Sequence, residues 1–240
     1  MTQQVNQLGG QERLLLSVVE QLSRPLLQLS RLAEWQVGNP TSGDNIARWQ
    51  TVQTVATSSL QLVEGYSLSL RLHGKLTPLE LEPVTISSLL YDAAQALDPY
   101  AKERGVKLEL DTGPRLAPVL VDRQVLRSVF LSLGQVFVEG GSEQTATATV
   151  RLAAHRSRYG VVAGLYSSLH DLSVESLRQA RQLQGRARQP LQRLISGPGA
   201  GVFVADSLLQ NLQSHLHVAK YHNLTGLATT LPPSQQLQLV

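Results

Sequence analysis

The sequence predicts an α+β chain in two parts, a helical hairpin followed by a mixed α/β domain with helices over one sheet face. Three observations predict it. Apolar residues recur at helical spacing over two long early segments. From Leu76 onward, short alternating runs take turns with short helical stretches. Gly, Pro, Asn and Ser cluster at the joints between elements. The predicted boundary leaves residues 1–75 to the hairpin and 76–240 to the mixed domain.

The first helix is expected from about Gln11 to Gln36, with Leu15, Val19, Leu22, Leu26, Leu29 and Ala33 stepping by four and three. Pro25 inside it removes one backbone hydrogen bond and should bend it. The run VGNPTSGDN then reads as a loop, with Asp44 or Asn45 able to cap the next helix. That second helix is expected from about Ile46 to Leu72, its stripe formed by Trp49, Val52, Ala56, Leu60, Val63 and Ser67. A lone hairpin would leave both stripes half exposed. Pairing two copies into a four-helix bundle hides them, so a homodimer is expected; the alternative is that the second half of the chain covers them.

In the mixed domain, LTPLELEPVTI reads as a linker with a short strand and Ser87–Arg104 as a helix that Pro99 interrupts. Strands are expected at Val106–Leu110 and Pro118–Val121, with Asp122 capping a helix from Arg123 to Val138. TATATVRL and GVVAGLYS read as strands, Val174–Leu183 as a helix, and an arginine-rich loop comes next. Glycines 197, 199 and 201 precede a helix from Val202 to Leu216, and strands at His217–Tyr221 and Leu227–Leu231 flank the turn HNLTG.

Composition narrows the function. Apolar residues make up 42% and charged residues 16%, enough for real cores. The chain has no cysteine, which excludes disulfides, thiolate metal sites and cysteine nucleophiles. The opening MTQQVNQLGGQER lacks the features of a signal peptide, and no apolar run approaches the ~20 residues of a membrane span. A cytoplasmic protein is the expectation. A net charge of +3 leaves nucleic acid or another anionic partner open.

Several segments in order resemble the sensor histidine kinases. VEQLSRPLLQLSRLAE, residues 19–34, resembles the helix around the family's phosphoacceptor, with Pro25 and Leu26 on its Pro-Leu. LSLRLHGKLTPLELEPVTISSLL resembles the end of the second dimerisation helix and the entry to the ATP-binding domain. PYAKERGVKLEL, VLVDRQVLRSVFLSL, SGPGAGVFVADSLLQ and TGLATTLP are similar to that domain's first helix and strand, its Asn-bearing helix, its late glycine box and its closing strand. The resemblance implies a dimerisation hairpin forming a four-helix bundle, followed by an α/β sandwich of the histidine-kinase ATPase type.

The departures imply a degenerate member. Glu20 stands where the phosphoacceptor histidine is expected, and a carboxylate forms no phosphoramidate. The six histidines lie at 73, 155, 170, 215, 217 and 222, none in a matching context. Ser132 and Val136 occupy the positions of the two polar residues on the Asn-bearing helix, and valine offers no oxygen to magnesium. The adenine-reading aspartate is matched at best by Ser167 within GLYSSLHD. No catalytic residue and no cofactor are therefore expected. Gly197, Gly199 and Gly201 remain as a vestigial nucleotide site, since glycines ahead of a helix let backbone N–H groups reach a phosphate.

Arg178, Arg181, Arg186, Arg188 and Arg193 fall within sixteen residues without an acid, in the region matching the family's lid over the phosphates. They are anion-binding candidates, or else a solvated loop. Trp35 and Trp49 read as packing at the bundle end, and His215 with His217 lacks the further ligands of a metal site. The expected function is that of an inactive kinase-like dimer, a protein-binding regulator or scaffold in two-component-type signalling. Its partner is a response-regulator-like protein met at Glu20, Ser23, Arg24 and Leu27. The alternatives are a nucleic-acid or phosphate-ligand binding protein using residues 178–193, and a phosphotransferase using an unusual histidine.

Overall fold

The computed structural model describes residues 45–142, 148–167, 172–184 and 200–234, together with 15, 18, 19, 21, 22, 25–29 and 31. Those scattered residues before 32 are all helical. Helix α1 (Asn45–His73) is next, then strand β1 (Leu81–Val84), helix α2 (Ile86–Glu103), strands β2 (Lys107–Thr112) and β3 (Val119–Asp122), and helix α3 (Arg123–Ser142). Strands β4 (Thr149–Ser157) and β5 (Gly160–Ser167), helices α4 (Val174–Leu183) and α5 (Ala200–Asn211), and strands β6 (His217–Tyr221) and β7 (Leu224–Leu231) complete the order.

The main sheet has five strands in the order β2-β4-β5-β7-β6, and β1 pairs with β3 in a small separate ladder. β2 runs parallel to β4, with Leu110 opposite Leu152; the other neighbours are antiparallel. On one sheet face Val150, Leu152, Ala154, Val161, Ala163, Leu165 and Leu227 join a single core with Leu89, Leu97, Phe130, Phe137, Val204 and Leu208 of the helices. The alternation of strand side chains puts these residues on one side and leaves the other side to a small second cluster of Ala153, Val162, Tyr166 and Ala228.

Local chemistry explains most element ends. Asp122 caps α3 as expected: Oδ1 accepts from Val125 N at 3.0 Å, and Oδ2 from Glu80 N at 3.0 Å, tying β1 to the same carboxylate. Ser173 and Ser176 form a reciprocal capping box at the start of α4. The structure corrects several boundaries: α3 continues past Val138 to Ser142, and β4 past Leu152 to Ser157. α2 runs through Pro99 without interruption, with the proline on its exposed side. α5 ends at Asn211, earlier than Leu216, where Gln213 adopts a left-handed φ of 54°. The last turn is tighter than HNLTG, since β7 already starts at Leu224 and His222 takes φ 51°.

α1 also differs from expectation in which face is buried. Val55, Leu62, Gly65, Ser69 and Leu72 face inward, while Trp49, Leu60 and Val63 of the expected stripe stay exposed. The inward row packs on α3 and α5, so the second half of the chain does cover one side of the hairpin. Among the described residues before 32, Val18 is buried in the main core and Leu22 packs against it, whereas Leu15, Val19, Leu26 and Leu27 are exposed. No helix among the described residues is long and apolar enough to cross a membrane.

Candidate functional site

The region that the sequence matches to a nucleotide site lies where α3, α5 and α1 meet. Ser132 and Val136 are one turn apart on α3, and both are buried. Gly201, in the first turn of α5, is seated directly on them. A Cβ built there would come within 2.6 Å of the Ser132 carbonyl oxygen and 2.7 Å of Val136 Cγ2. Glycine is therefore used for close helix packing at this position, in contact with a carbonyl and a methyl group.

α1 closes the same region from outside. Gly65 approaches Val204 Cγ1 and Ser132 Oγ so closely that a Cβ would stand 3.1 and 3.3 Å from them. Gln135, buried on α3, donates through Nε2 to Gln61 Oε1 at 2.6 Å and to the Ser58 carbonyl at 3.1 Å. Ser69 and Ser207 share a hydrogen bond of 2.7 Å between α1 and α5. Losing the Gln135 amide would remove two hydrogen bonds between α3 and α1. The donor set does not fit a magnesium ion: Val136 is aliphatic, and the Ser132 hydroxyl and carbonyl face the helices packed on them.

The arginine candidates divide. Arg181 is engaged within the fold: Nε donates to Asp206 Oδ2 at 2.9 Å, and Nη2 donates to Asp206 Oδ1 and the Leu216 carbonyl, each at 2.8 Å. This fork ties α4 to α5 and to the start of β6, so Arg181 is not open to a phosphate. Arg178 is exposed on α4. Arg186, Arg188 and Arg193 lie outside the described residues, as do Gly197, Gly199, Glu20, Ser23 and Arg24. Leu27 is exposed on the leading helix, and Ser167 is buried at the end of β5.

A second polar group, which sequence reasoning passed over, lies on the sheet face away from the helices. Tyr221 stacks on His155 at 5.2 Å between centroids and tilts against the buried Tyr166 at 5.3 Å, with His222 edge-on at 4.4 Å. His222 Nε2 stands 4.0 Å from Asp111 Oδ2. Arg151 donates through Nη2 to Glu109 at 2.7 Å, and together with Lys107 it holds that carboxyl below the usual range. Burial, and then the neighbouring His222, holds His155 below the ordinary histidine value. Period-two alternation places Arg151 and His155 on one side of β4; the tertiary partners are not visible in it. Among the described residues, no cluster of three or more His, Asp or Glu groups is suited to a metal ion.

Comparison with solved structures shows a histidine-kinase-like fold. The Acinetobacter baumannii histidine kinase AdeS superposes with a TM-score of 0.57 at 12% identity, covering 90% of this chain and 98% of that one. Full-length ShkA, solved with AMPPNP, gives 0.56 at 18% identity over 98% of this chain and 47% of its own. The histidine kinase ThkA in complex with the response regulator TrrA gives 0.57 at 10% identity over 90% and 60%. No protein-family model and no curated protein matches the sequence. At these identities the likeness is one of fold.

Proposed function

We propose that this chain acts by binding, as a catalytically silent, dimeric histidine-kinase-like protein that docks a signalling partner on its N-terminal hairpin. The observation that carries this reading is the contact of Gly201 with Ser132 and Val136. Phosphoryl transfer depends on positioning the nucleotide and neutralising its charge. Here the positions matched to those tasks hold an aliphatic side chain and a helix packed on it, with α1 as a roof. The glutamate at position 20 supports the reading from the acceptor side, because a carboxylate cannot carry a phosphoramidate.

The exposed row of Trp49, Leu60 and Val63, with Leu15, Val19 and Leu26, supports association with a second copy through the outer hairpin face. ThkA was solved with a response regulator, and by analogy the partner proposed for this chain is response-regulator-like, met at Glu20, Ser23, Arg24 and Leu27. Substituting Glu20→Ala is expected to weaken that binding while leaving the thermal midpoint unchanged.

Calorimetric titration with ATP, with and without magnesium, tests the central claim. The expected result is no binding heat at millimolar nucleotide. Magnesium-dependent binding would overturn the proposal and reopen phosphoryl transfer.

A further inference from the structure

We infer that one end of the sheet domain, built by the β4–β5 hairpin tip and the β2–β3 loop, binds single-stranded nucleic acid. Arg115, Arg156 and Arg158 would contact phosphates there, and Tyr159 would stack under a base. This inference is independent of the kinase-like reading and of the arginine-rich segment 178–193.

The fold brings these residues to one place. Ser157 pairs with Gly160 across the hairpin, which puts Arg158 and Tyr159 at its tip. Ser157 Oγ donates to the Gly160 carbonyl at 3.1 Å and accepts from Tyr159 N at 3.2 Å, which fixes the turn. Gly113 N donates to the Ala154 carbonyl at 2.9 Å, so the loop carrying Arg115 continues alongside the end of β4. Arg115, Arg156 and Arg158 are all exposed, and among the described residues none has a carboxylate partner. The segments forming this end, 113–119, 155–161 and 230–234, contain no acidic residue. A basic end without internal neutralisation attracts a polyanion.

The aromatic groups select among polyanions. Tyr159 is 76% exposed, and the Arg158 guanidinium lies 5.8 Å from its ring centroid. On the outer side of the sheet, His155 of the same strand stacks on Tyr221. Ring faces beside unpaired guanidinium groups suit unstacked bases joined by phosphates. A lipid surface would require an exposed aliphatic side chain to insert; the hairpin tip HRSRYG, residues 155–160, offers none, and Leu116 of the β2–β3 loop packs against the main core.

The test is fluorescence anisotropy of labelled oligo(dT), oligo(U) and a duplex with the full chain over a series of salt concentrations. Both single strands should bind more tightly than the duplex. Combining R115Q, R156Q and R158Q should weaken binding about 10-fold or more in low salt and flatten the log–log salt slope by about 2. Substituting Tyr159→Ala should weaken binding roughly 5- to 100-fold at an unchanged slope. A thermal melt of each variant checks that the exposed substitutions leave the fold intact, and R178Q should bind as the parent does. The inference is overturned by full affinity in the triple variant, by loss in R178Q, or by duplex binding that ignores Tyr159. Binding to phosphatidylserine vesicles but not to oligonucleotides would also overturn it. Preference for oligo(U) or oligo(dT) then tells RNA from DNA.

Discussion

Gly201 stands against Val136 with no room for a Cβ between the two helices that carry them. Val136 is fully buried, so a polar side chain placed there would be enclosed by packed helices. Substituting Val136→Asn buries an amide between α3 and α5 without a ready partner. We expect a loss of about 1–3 kcal/mol in denaturant unfolding and no gain in magnesium–ATP affinity by calorimetry. Tight nucleotide binding by V136N would mean that the contact opens readily.

Arg181 and Asp206 form a fork that bridges α4, α5 and the first residue before β6. Asp206 is buried, so removing the guanidinium leaves a carboxylate with little access to water. Arg181→Ala should cost about 2 kcal/mol, scaled down because the arginine itself is partly exposed. Urea unfolding measures it; a change within error would assign this contact a surface role only.

The histidine under Tyr221 makes stability depend on pH. Its folded-state value lies below that of the unfolded chain, near 6.5. Above that value both states are neutral and the contribution is complete. As pH falls through it, the unfolded chain takes the proton first, so stability declines until the folded histidine also protonates. Burial, with Tyr221 stacked on the ring, and then the neighbouring His222 set this response. In H155F, which keeps a ring against Tyr221, thermal midpoints between about pH 7.5 and 5 should fall less than in the parent. Equal slopes would assign the acid sensitivity to other groups.

The elements of the sheet domain were legible because their signals are local. Asp122 announces the start of α3, and the alternation in Thr149–Leu152 and the apolar run Val161–Leu165 announce strands. The facing of α1 was not legible. Its apolar residues occupy two neighbouring rows, and periodicity alone does not rank Trp49–Val52–Ala56–Leu60–Val63 against Val55–Leu62–Gly65–Ser69–Leu72. Only the small residues Gly65 and Ser69, which let α5 approach, distinguish the buried row. Arg181 was likewise opaque, because its partner is 25 residues away. The ring cluster at His155 was missed for the same reason, since Tyr221 and Asp111 come to it from other strands.

The two-rowed helix leads to a prediction about assembly. Its inner row is already used on α3 and α5, so substitutions in the outer row should leave the sheet domain folded. Leu60 is 61% exposed and Val63 is 39% exposed. Joint replacement, Leu60→Glu with Val63→Glu, places two charges on the face proposed to meet a second copy. Burying them unpaired would cost several kcal/mol, enough to dissociate a dimer at micromolar concentration. Sedimentation equilibrium should then show a dimer for the parent and a monomer of unchanged far-UV circular dichroism for the variant. A parent that sediments as a monomer would sink the dimer and leave the outer row to a different protein. A variant that stays dimeric would place the dimer contact elsewhere on the chain.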